Sequence, residues 1–478
     1  MQKTKTLYAF HDFRVTWPCF DYFGFLIHAE WTRRKVGAEN LHVVFVPKPE
    51  SEDHEDFNFT PMQTNWRLNN LVVPGTWLLA SCRSISVCNT VEEAREIYEN
   101  WDGPIFPHGY SIDKPLLMGD PCWPALIANF GDNIQYLRAT PQSLEYVNNW
   151  KRAHSAGKKI VSITIRNTNY NEQRNSDLDL WAKFALWLQQ RDYYPVIVPD
   201  TDTALQILGN QFLGIPSIPA AALNLEIRMA LYEVSFLNTF VSNGPAYMCC
   251  FDRNIHFLNF RTGEFLAEPK NIEAFQGIPY GTNPPYLNQF QKSVWRELSI
   301  EVLEEEFSHM SELIEASLQN GSYQEHLSPD PNNKEPVSRM AKRFFDYDNR
   351  EPLEFAINWI RDNEPENPAF WYLVGLNWNE ATNFDPLDDV DSAEDAFEIC
   401  IEKIKKLPAN DLDKYKIEIL SDSLGRLNRK IEIERIVREQ IKIYPNIIFY
   451  YELLGEVFFL QGKTKDLENI FDVVLGLS

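Results

Sequence analysis

The stretch KKIVSITIR, residues 158–166, has the apolar, β-branched composition of a buried strand and ends on an arginine, Arg166. A polar loop follows, and an amphipathic helical pattern then begins in DLDLWAKFALWLQQR. A guanidinium keeps its charge at neutral pH and can hold two phosphate oxygens at once. An exposed Arg166 at a strand end facing a cleft would clamp a nucleotide diphosphate and stabilise it as a leaving group. The alternative is a surface arginine without a ligand.

A second anion-binding pattern is SNGP, residues 242–245, between a strand-like segment and a helix start. Ser242 and Asn243 come just before a helix start, and the backbone N–H groups at this helix N-terminus would bind an anion. Gly244 would let a ligand approach the backbone, and Pro245 suits the first helical position. An ordinary helix cap at Ser242 or Asn243 explains the same residues.

Acidic residues follow another strand-like segment in VPDTD, residues 198–202. The carboxylates of Asp200 and Asp202 would accept hydrogen bonds from a nucleobase edge or from ribose hydroxyls. Either residue would serve equally well as a cap for the helix that follows.

Three candidate general bases lie near the end of the first strand-like segment, TLYAFHDF. They are His11, Asp12 and Asp21, one of which would take the proton of an acceptor hydroxyl. A purely structural role competes with catalysis at each position. No His, Cys and carboxylate spacing typical of a metal site is found, and no Ser-His-Asp arrangement is visible.

The composition limits the partners. The chain has 478 residues and a net charge of −23, from 45 basic and 68 acidic side chains. This charge disfavours nucleic acid and anionic membrane surfaces as partners, although a small local basic pocket for phosphate is compatible with it. The N-terminus lacks the apolar region of a signal peptide, and no run of about 18 apolar residues predicts a transmembrane helix. Seven cysteines without a C-x-x-C pair indicate reduced thiols and a cytoplasmic location.

Two series of strands and helices must position these residues. The first, over 1–150, contains a strand–helix–strand pattern from TLYAFHDF to NLHVVFVPKP, which predicts a parallel sheet. The second, over 151–290, ends its strands on Arg166, on VPDTD and on SNGP. Because ligands of such sheets bind at the carboxyl ends of the strands, we expect two Rossmann-like domains facing each other across a cleft.

The rest of the chain loses the strand pattern. Residues 291–318 predict connecting helices, and the polar, proline-broken segment 319–338 predicts a linker. Residues 339–478 predict a helical, repeat-like domain that resembles tetratricopeptide repeats, with Gly375 and Gly455 at matching places. Such a domain would bind a protein partner or the acceptor.

Three motifs together, ITIRNT, VIVPDTD and FVSNGPAYMCCF, resemble those of a family. The chain resembles GT-B glycosyltransferases, closest to the α-1,6- and protein O-fucosyltransferase superfamily and its bacterial relatives. The resemblance covers mainly residues 158–260. It implies inverting transfer of a sugar from a nucleotide-sugar donor to a glycan or protein hydroxyl, with neither metal nor cofactor. It also implies that the donor is held by Arg166, Thr168, Asp200, Asp202, Ser242, Asn243, Gly244 and Pro245.

The donor stays partly open, because Asn167 and Asn169 stand where the family motif has an arginine and an acidic residue. A GDP-sugar is favoured, and UDP-sugars are an alternative. Two other classes of function remain. One is a different GT-B enzyme, such as a heptosyltransferase, an N-acetylglucosaminyltransferase or a nucleotide-sugar epimerase. The other is a non-catalytic scaffold that binds a partner through its helical domain.

Overall fold

The computed structural model describes residues 5–49, 60–116, 122–168, 171–206, 209–262, 277–378, 390, 392–408 and 412–477. The chain divides into two compact units, Met1–Glu335 and Pro336–Ser478. Unit 1 contains two parallel sheets with helices, and unit 2 is helical over its described residues. The predicted fold class, two α/β domains followed by an all-α region, is confirmed. No helix among the described residues is both long and apolar enough to cross a membrane.

The first sheet has four parallel strands in the order β3-β2-β1-β4. Its strands are β1 Thr6–Asp12, β2 Asn40–Val46, β3 Cys82–Val87 and β4 Ile105–Phe106. β1 and β2 are almost fully buried, as expected of strands covered on both faces. The accompanying helices are α1 Tyr22–Lys35, α2 Pro61–Arg67, α3 Val73–Thr76, α4 Val91–Glu99 and α5 Cys122–Asn129, with a π-helical turn Leu68–Val72 joining α2 to α3.

The second sheet has five parallel strands in the order β6-β5-β7-β8-β9. They are β5 Lys159–Thr164, β6 Tyr193–Val198, β7 Leu237–Val241, β8 Phe257–Phe260 and β9 Gln291–Val294. The order reverses at β5, which lies between β6 and β7. This is the switch point at which such sheets bind ligands.

Helices cover both faces of the second sheet. They are α6 Pro141–His154, α7 Leu178–Gln190, α8 Pro219–Leu223, α9 Leu225–Val234, α10 Gly244–Cys249, α11 Ile300–Asn320 and α12 Tyr323–His326. One face packs on α7 and α11 through an apolar core that includes Ile163, Trp181 and Phe307. The opposite face packs on α9, where Thr164 shares a hydrogen bond of 2.8 Å with the hydroxyl of Tyr232.

The second domain extends beyond the predicted boundary at residue 290. Residues 291–318 supply the edge strand β9 and most of α11, whose apolar face completes the core, instead of forming separate connecting helices. The segment 319–338, expected as a linker, is packed on unit 1 as far as Glu335. There the N–H of Asp330 donates to the carbonyl of Leu287 at 2.9 Å, and the N–H of Glu335 donates to Asn129 Oδ1 at 3.0 Å.

Unit 2 is a series of helices, each packed against the next along the chain. They are α13 Val337–Asp346, α14 Arg350–Asn363, α15 Pro368–Leu376, α16 Ala393–Lys405, α17 Lys414–Arg426, α18 Lys430–Ile443, α19 Ile448–Gln461 and α20 Thr464–Leu477. The two glycines at matching places both face the second helix of their own pair. Gly375 lies against Phe397 of α16, and Gly455 lies against Leu467 of α20. The relation to tetratricopeptide repeats stays a prediction.

Candidate functional site

The strand register aligns the residues that follow the strands of the second sheet. Thr164 pairs with Val198 of β6 and with Phe240 of β7, and Asn259 of β8 pairs with Phe240 and with Ser293 of β9. Side chains two residues apart lie on the same face of a strand. Two residues beyond these positions, just after the strands, come five residues that we call the strand-end row: Asp200, Arg166, Ser242, Arg261 and Trp295.

Backbone hydrogen bonds between neighbouring strands continue as far as Ser242 and Arg261. The N–H of Ser242 donates to the carbonyl of Phe260 at 3.1 Å, and the N–H of Arg261 donates to that of Val294 at 3.0 Å. Next to β5, the N–H of Ile165 donates to the carbonyl of Val198 at 2.9 Å. Ser242 and Arg261 are thus fixed by sheet backbone, whereas the backbone of Arg166 pairs with Ser176, whose N–H donates to the carbonyl of Arg166 at 2.9 Å. The row lies at the carboxyl ends of the strands, where parallel sheets bind ligands.

Arg166 is buried, with 6% of its surface exposed. The prediction of an exposed guanidinium is therefore wrong, because the loop between β5 and α7 folds over it. Arg166 Nη1 donates to the carbonyl of Asn171 at 2.9 Å and to Asn175 Oδ1 at 2.6 Å. Asn175 also bonds both backbone groups of Thr168, accepting from its N–H at 3.2 Å and donating to its carbonyl at 2.9 Å. Thr168 therefore belongs to the loop that Arg166 and Asn175 hold in place.

The turn 242–245 contains both an ordinary cap and an open polar group. Asn243 caps α10 by accepting from the N–H of Ala246 at 2.9 Å, with Pro245 in the first turn. Ser242 is buried and its carbonyl accepts from Arg174 Nη2 at 2.9 Å. Its hydroxyl has no hydrogen bond to any described residue.

Gly244 has a different role from the one predicted for it. The space beside its backbone is filled by the ring of Phe20, not left open to a ligand, and a Cβ on Gly244 would lie 2.7 Å from the Cβ of Phe20. Phe20 belongs to the loop between β1 and α1. The carboxyl edge of the first sheet therefore meets the strand-end row at the end of β7.

The structure describes the side chain of only one of the two acidic residues after β6, Asp200 and Asp202. Asp200 Oδ2 accepts from the N–H of Asn167 at 2.9 Å and so fixes the residue that directly follows Arg166. Asp202 lies in a short 3-10 turn, Thr201–Thr203, and its side chain is outside the described part of the chain. The hydroxyl of Thr201 donates to the carbonyl of Ala222 at 3.1 Å.

Arg261 and Trp295 were missed from the sequence. Arg261 is buried, which lowers its pKa, and Nη2 donates to Ser293 Oγ at 3.2 Å. Its guanidinium carbon lies 4.8 Å from the centre of the Trp295 ring, a cation–π arrangement. The available signal was HFLNFR, residues 256–261, in which a strand is followed at once by an arginine, just as in ITIR.

Two of the three candidate bases are enclosed in the first sheet. His11 is buried among aromatic rings, with Tyr22 at 4.9 Å and Phe25 at 4.7 Å between ring centres, and this burial lowers its pKa to about 3. Asp12 accepts from Arg14 Nε at 3.0 Å and Nη2 at 2.6 Å, and from the hydroxyl of Tyr110 at 2.8 Å. Both side chains are thus buried inside the first domain.

Asp21 is the candidate base that is exposed. It directly precedes α1, and one of its oxygens accepts from the thiol of Cys19 at 3.3 Å. Since Phe20 touches Gly244, Asp21 lies one residue from the contact between the first-sheet edge and the strand-end row.

Further contacts fix the two α/β halves of unit 1 against each other. The N–H of Arg138 donates to the carbonyl of Leu78 in the first half at 2.9 Å, and Arg138 Nη1 forms an ion pair of 2.8 Å with the buried Asp252 in the second half. These contacts therefore fix the position of Asp21 relative to the strand-end row. In the part of the chain that the structure describes, no group of three or more His, Cys, Asp or Glu residues could hold a metal ion.

Comparison with known proteins gives distant structural matches. No protein-family description matches the chain, and no curated protein is significantly similar in sequence. A glycosyl transferase family 9 structure from Veillonella parvula DSM 2008 is 8% identical with a TM-score of 0.42, covering 65% of this chain and 98% of that one. The E. coli ADP-heptose LPS heptosyltransferase II is 9% identical with a TM-score of 0.39, covering 65% and 99%.

The wall teichoic acid polymerase TagF (H548A) is 11% identical with a TM-score of 0.27, covering 75% of this chain and 89% of that one. At such identities and TM-scores, function has to be inferred from this chain's own residues.

Proposed function

We propose that this protein is a glycosyltransferase that moves a sugar from a nucleotide-sugar donor to a hydroxyl group of a glycan or protein. The observation that carries this proposal is the strand-end row. Arg166 and Arg261 flank the hydroxyl of Ser242 on neighbouring strands, and the edge that carries Asp21 meets the row there. Two buried cations and a hydroxyl without a described partner suit a diphosphate.

The spacing also suits this ligand. Arg166 and Arg261 are separated by two strand spacings, about 10 Å, with Ser242 between them. Long arginine side chains that start this far apart can converge on one diphosphate from both sides. The guanidinium groups are held before any ligand binds, Arg166 by its loop and Arg261 by Ser293 and Trp295. Such fixed cations stabilise charge that develops on a leaving group without reorganising.

The chemistry we infer is a single displacement. The acceptor oxygen attacks the anomeric carbon, the bond from that carbon to the diphosphate breaks, and its electron pair leaves with the diphosphate. Asp21 takes the proton of the acceptor hydroxyl. Attack opposite to the leaving group inverts the anomeric configuration. The two arginines supply the positive charge that a metal ion supplies in other transferases, so we propose a metal-independent reaction without a cofactor.

We favour a GDP-linked donor because ITIRNT resembles the donor motif of the fucosyltransferase superfamily. Within this proposal Arg166, Ser242 and Arg261 bind the diphosphate, while Thr168 and Asp200 order the loop over it. Asp202 is proposed to contribute from the turn after β6. The reaction is proposed to take place in the cytoplasm.

Unit 2 is proposed to bind the acceptor or a protein partner, since every residue of the strand-end row lies in unit 1. A chain ending at Glu335 should still bind a nucleoside diphosphate and should lose transfer to the native acceptor. Undiminished transfer by the shortened chain would exclude binding of the acceptor by unit 2.

Release of nucleoside diphosphate from a panel of GDP-, UDP- and ADP-sugars tests the reaction class. Transferases hydrolyse their donor slowly when water replaces the acceptor, so we expect one donor to yield free nucleoside diphosphate, with or without EDTA. Donor sugars that are epimerised without release of diphosphate would identify an epimerase. Absence of any turnover, together with absence of nucleotide binding, would favour a non-catalytic scaffold.

A further inference from the structure

An aromatic pair lies at the β9 end of the strand-end row. The ring centres of Trp295 and Tyr280 are 4.9 Å apart and their planes are inclined by 59°. The indole N–H of Trp295 donates to the carbonyl of Thr282 at 3.0 Å, which fixes the orientation of the ring. Both side chains are partly exposed. Trp295 directly follows β9, so the pair belongs to the same edge as Arg261.

We propose that the aromatic pair Tyr280–Trp295 binds the nucleobase of the donor. The nucleotide then lies along the strand-end row, with its base at β9 and its sugar toward Asp21. This inference rests on the proposed function, and it adds the site and direction of the nucleoside. Aromatic side chains stack on nucleobases through the flat faces of both partners.

The opposite end of the row is less suited to a base. There Asp200 already accepts from the N–H of Asn167, and the row has no aromatic member at β6 or β5. The sugar must lie where Asp21 approaches, which is the end of β7, because Phe20 touches Gly244 there. From β7 to β9 there are two strand spacings, about 10 Å, which leaves room for the ribose and the first phosphate between the base at β9 and the second phosphate at Ser242.

Arg261 and Asn259 occupy that intermediate position on β8. Arg261 lies over the Trp295 ring and would meet the phosphate next to the nucleoside. Asn259 precedes Arg261 by two residues and shares its face of the sheet. The side-chain oxygen of Asn259 is buried and has no hydrogen bond to any described residue. A ribose hydroxyl would supply the missing donor.

Stacking does not distinguish one base from another, since every base has an aromatic face. The aromatic pair should therefore contribute similarly to the binding of GDP, UDP and ADP. Preference among these nucleotides would arise from hydrogen bonds elsewhere.

The test compares binding of GDP with binding of inorganic pyrophosphate, measured by calorimetry on the full chain. Tyr280→Ala should weaken GDP binding by roughly tenfold while pyrophosphate binding is unchanged. Trp295→Leu also removes the ring that lies over Arg261, so it should weaken both, and GDP binding more than pyrophosphate binding. Trp187→Leu is the control. Trp187 also stacks with an arginine, with Arg191 at 3.9 Å, but it packs on the opposite face of the sheet and should leave both ligands unaffected.

The outcomes are distinct. Equal weakening of GDP and pyrophosphate would mean that Trp295 acts only by positioning Arg261, and it would overturn this inference. Unchanged GDP binding in both variants would overturn it as well. If Trp295→Leu does not fold, Tyr280→Ala alone decides, because this variant keeps the Trp295 ring that lies over Arg261. Wild-type protein that binds none of GDP, UDP and ADP would instead refute the proposed function itself.

Discussion

The ring of Phe20 lies against the backbone of Gly244, closely enough that a Cβ at Gly244 would fall 2.7 Å from the Cβ of Phe20. Cβ atoms in proteins do not approach other carbon atoms this closely, so only glycine fits at this position. The contact joins the loop after β1 to the turn after β7. It therefore brings Asp21 to the strand-end row, which is the geometry that the proposed reaction requires.

Gly244→Ala should disturb this junction. The added methyl group must displace Phe20, and overpacking of this kind costs about 1–3 kcal/mol. We expect a lower free energy of unfolding in urea and slower donor turnover. Phe20→Ala in the same chain should restore part of the stability. Gly425→Ala is the control, since the nearest neighbour of the added Cβ would be 3.9 Å away, in the last turn of α17. Equal destabilisation by both changes would contradict the close contact.

The acidic residues Asp21 and Asp12 should behave differently when replaced. Asp21→Asn removes an exposed candidate base, so turnover should fall by roughly 10²–10⁴-fold while nucleotide binding and stability stay the same. Asp12→Ala leaves Arg14 and Tyr110 without their buried partner and should lower the free energy of unfolding by about 3 kcal/mol. Asp21→Asn with wild-type turnover would exclude Asp21 as the base.

Acid should destabilise unit 1 through its buried histidines. His28 packs 4.2 Å from Trp123 between ring centres, and burial lowers its pKa from 6.5 to about 3. Below pH 6.5 the unfolded chain binds a proton that folded His28 does not, so stability is lost as the pH falls. At pH 5 the burial of neutral His28 lowers the free energy of unfolding by about 2 kcal/mol relative to pH 7.

Urea unfolding of His28→Phe at pH 7 and pH 5 measures this effect. The variant should lose less stability than wild type between the two pH values. All nine histidines precede residue 336, so unit 2 has no counterpart to this loss. An identical pH dependence in variant and wild type would show that His28 is not held neutral by burial.

Much of the fold could be predicted from the sequence, because the signals for its strands and helices are local. The buried runs that became β1, β2, β5, β6 and β7 are long and apolar, and Gly37, with φ +65°, follows the end of α1. β9 was missed because QKSV is short and lacks an apolar alternation. The packed segment before Glu335 was taken for a linker because its contacts, with Leu287 and Asn129, are distant in sequence.

The candidate site, like the fold, was predicted correctly only where its sequence signals are local. Arg166 and Ser242 were identified because each directly ends a strand pattern, and Arg261 does so too. Its importance depends on β8 lying beside β7, an order of strands that no local pattern encodes. The folding of a polar loop over Arg166 and the filling of the space at Gly244 by Phe20 both depend on tertiary contacts. These contacts explain why exposure of Arg166 and ligand access to Gly244 were predicted wrongly.

The helical region offers a paired comparison. A Cβ at Gly375 would lie 2.8–3.0 Å from ring atoms of Phe397, whereas one at Gly455 would lie 3.4 Å from Leu467, an ordinary contact. Gly375→Ala should therefore destabilise unit 2 by about 1–3 kcal/mol. Gly455→Ala should be neutral or stabilising, because alanine favours a helix interior. Thermal unfolding distinguishes them, and equal effects would contradict the different packing of the two helix pairs.

The central claim is that the strand-end row binds the diphosphate of a nucleotide donor, and calorimetric titration with GDP tests it most directly. We expect wild type to bind one GDP, and Arg166→Ala to weaken this binding by roughly 10–100-fold through loss of hydrogen bonds to charge. Arg191→Ala, on the opposite face of the sheet, should bind as wild type does. Binding of GDP that is equally tight in wild type and Arg166→Ala would contradict the claim.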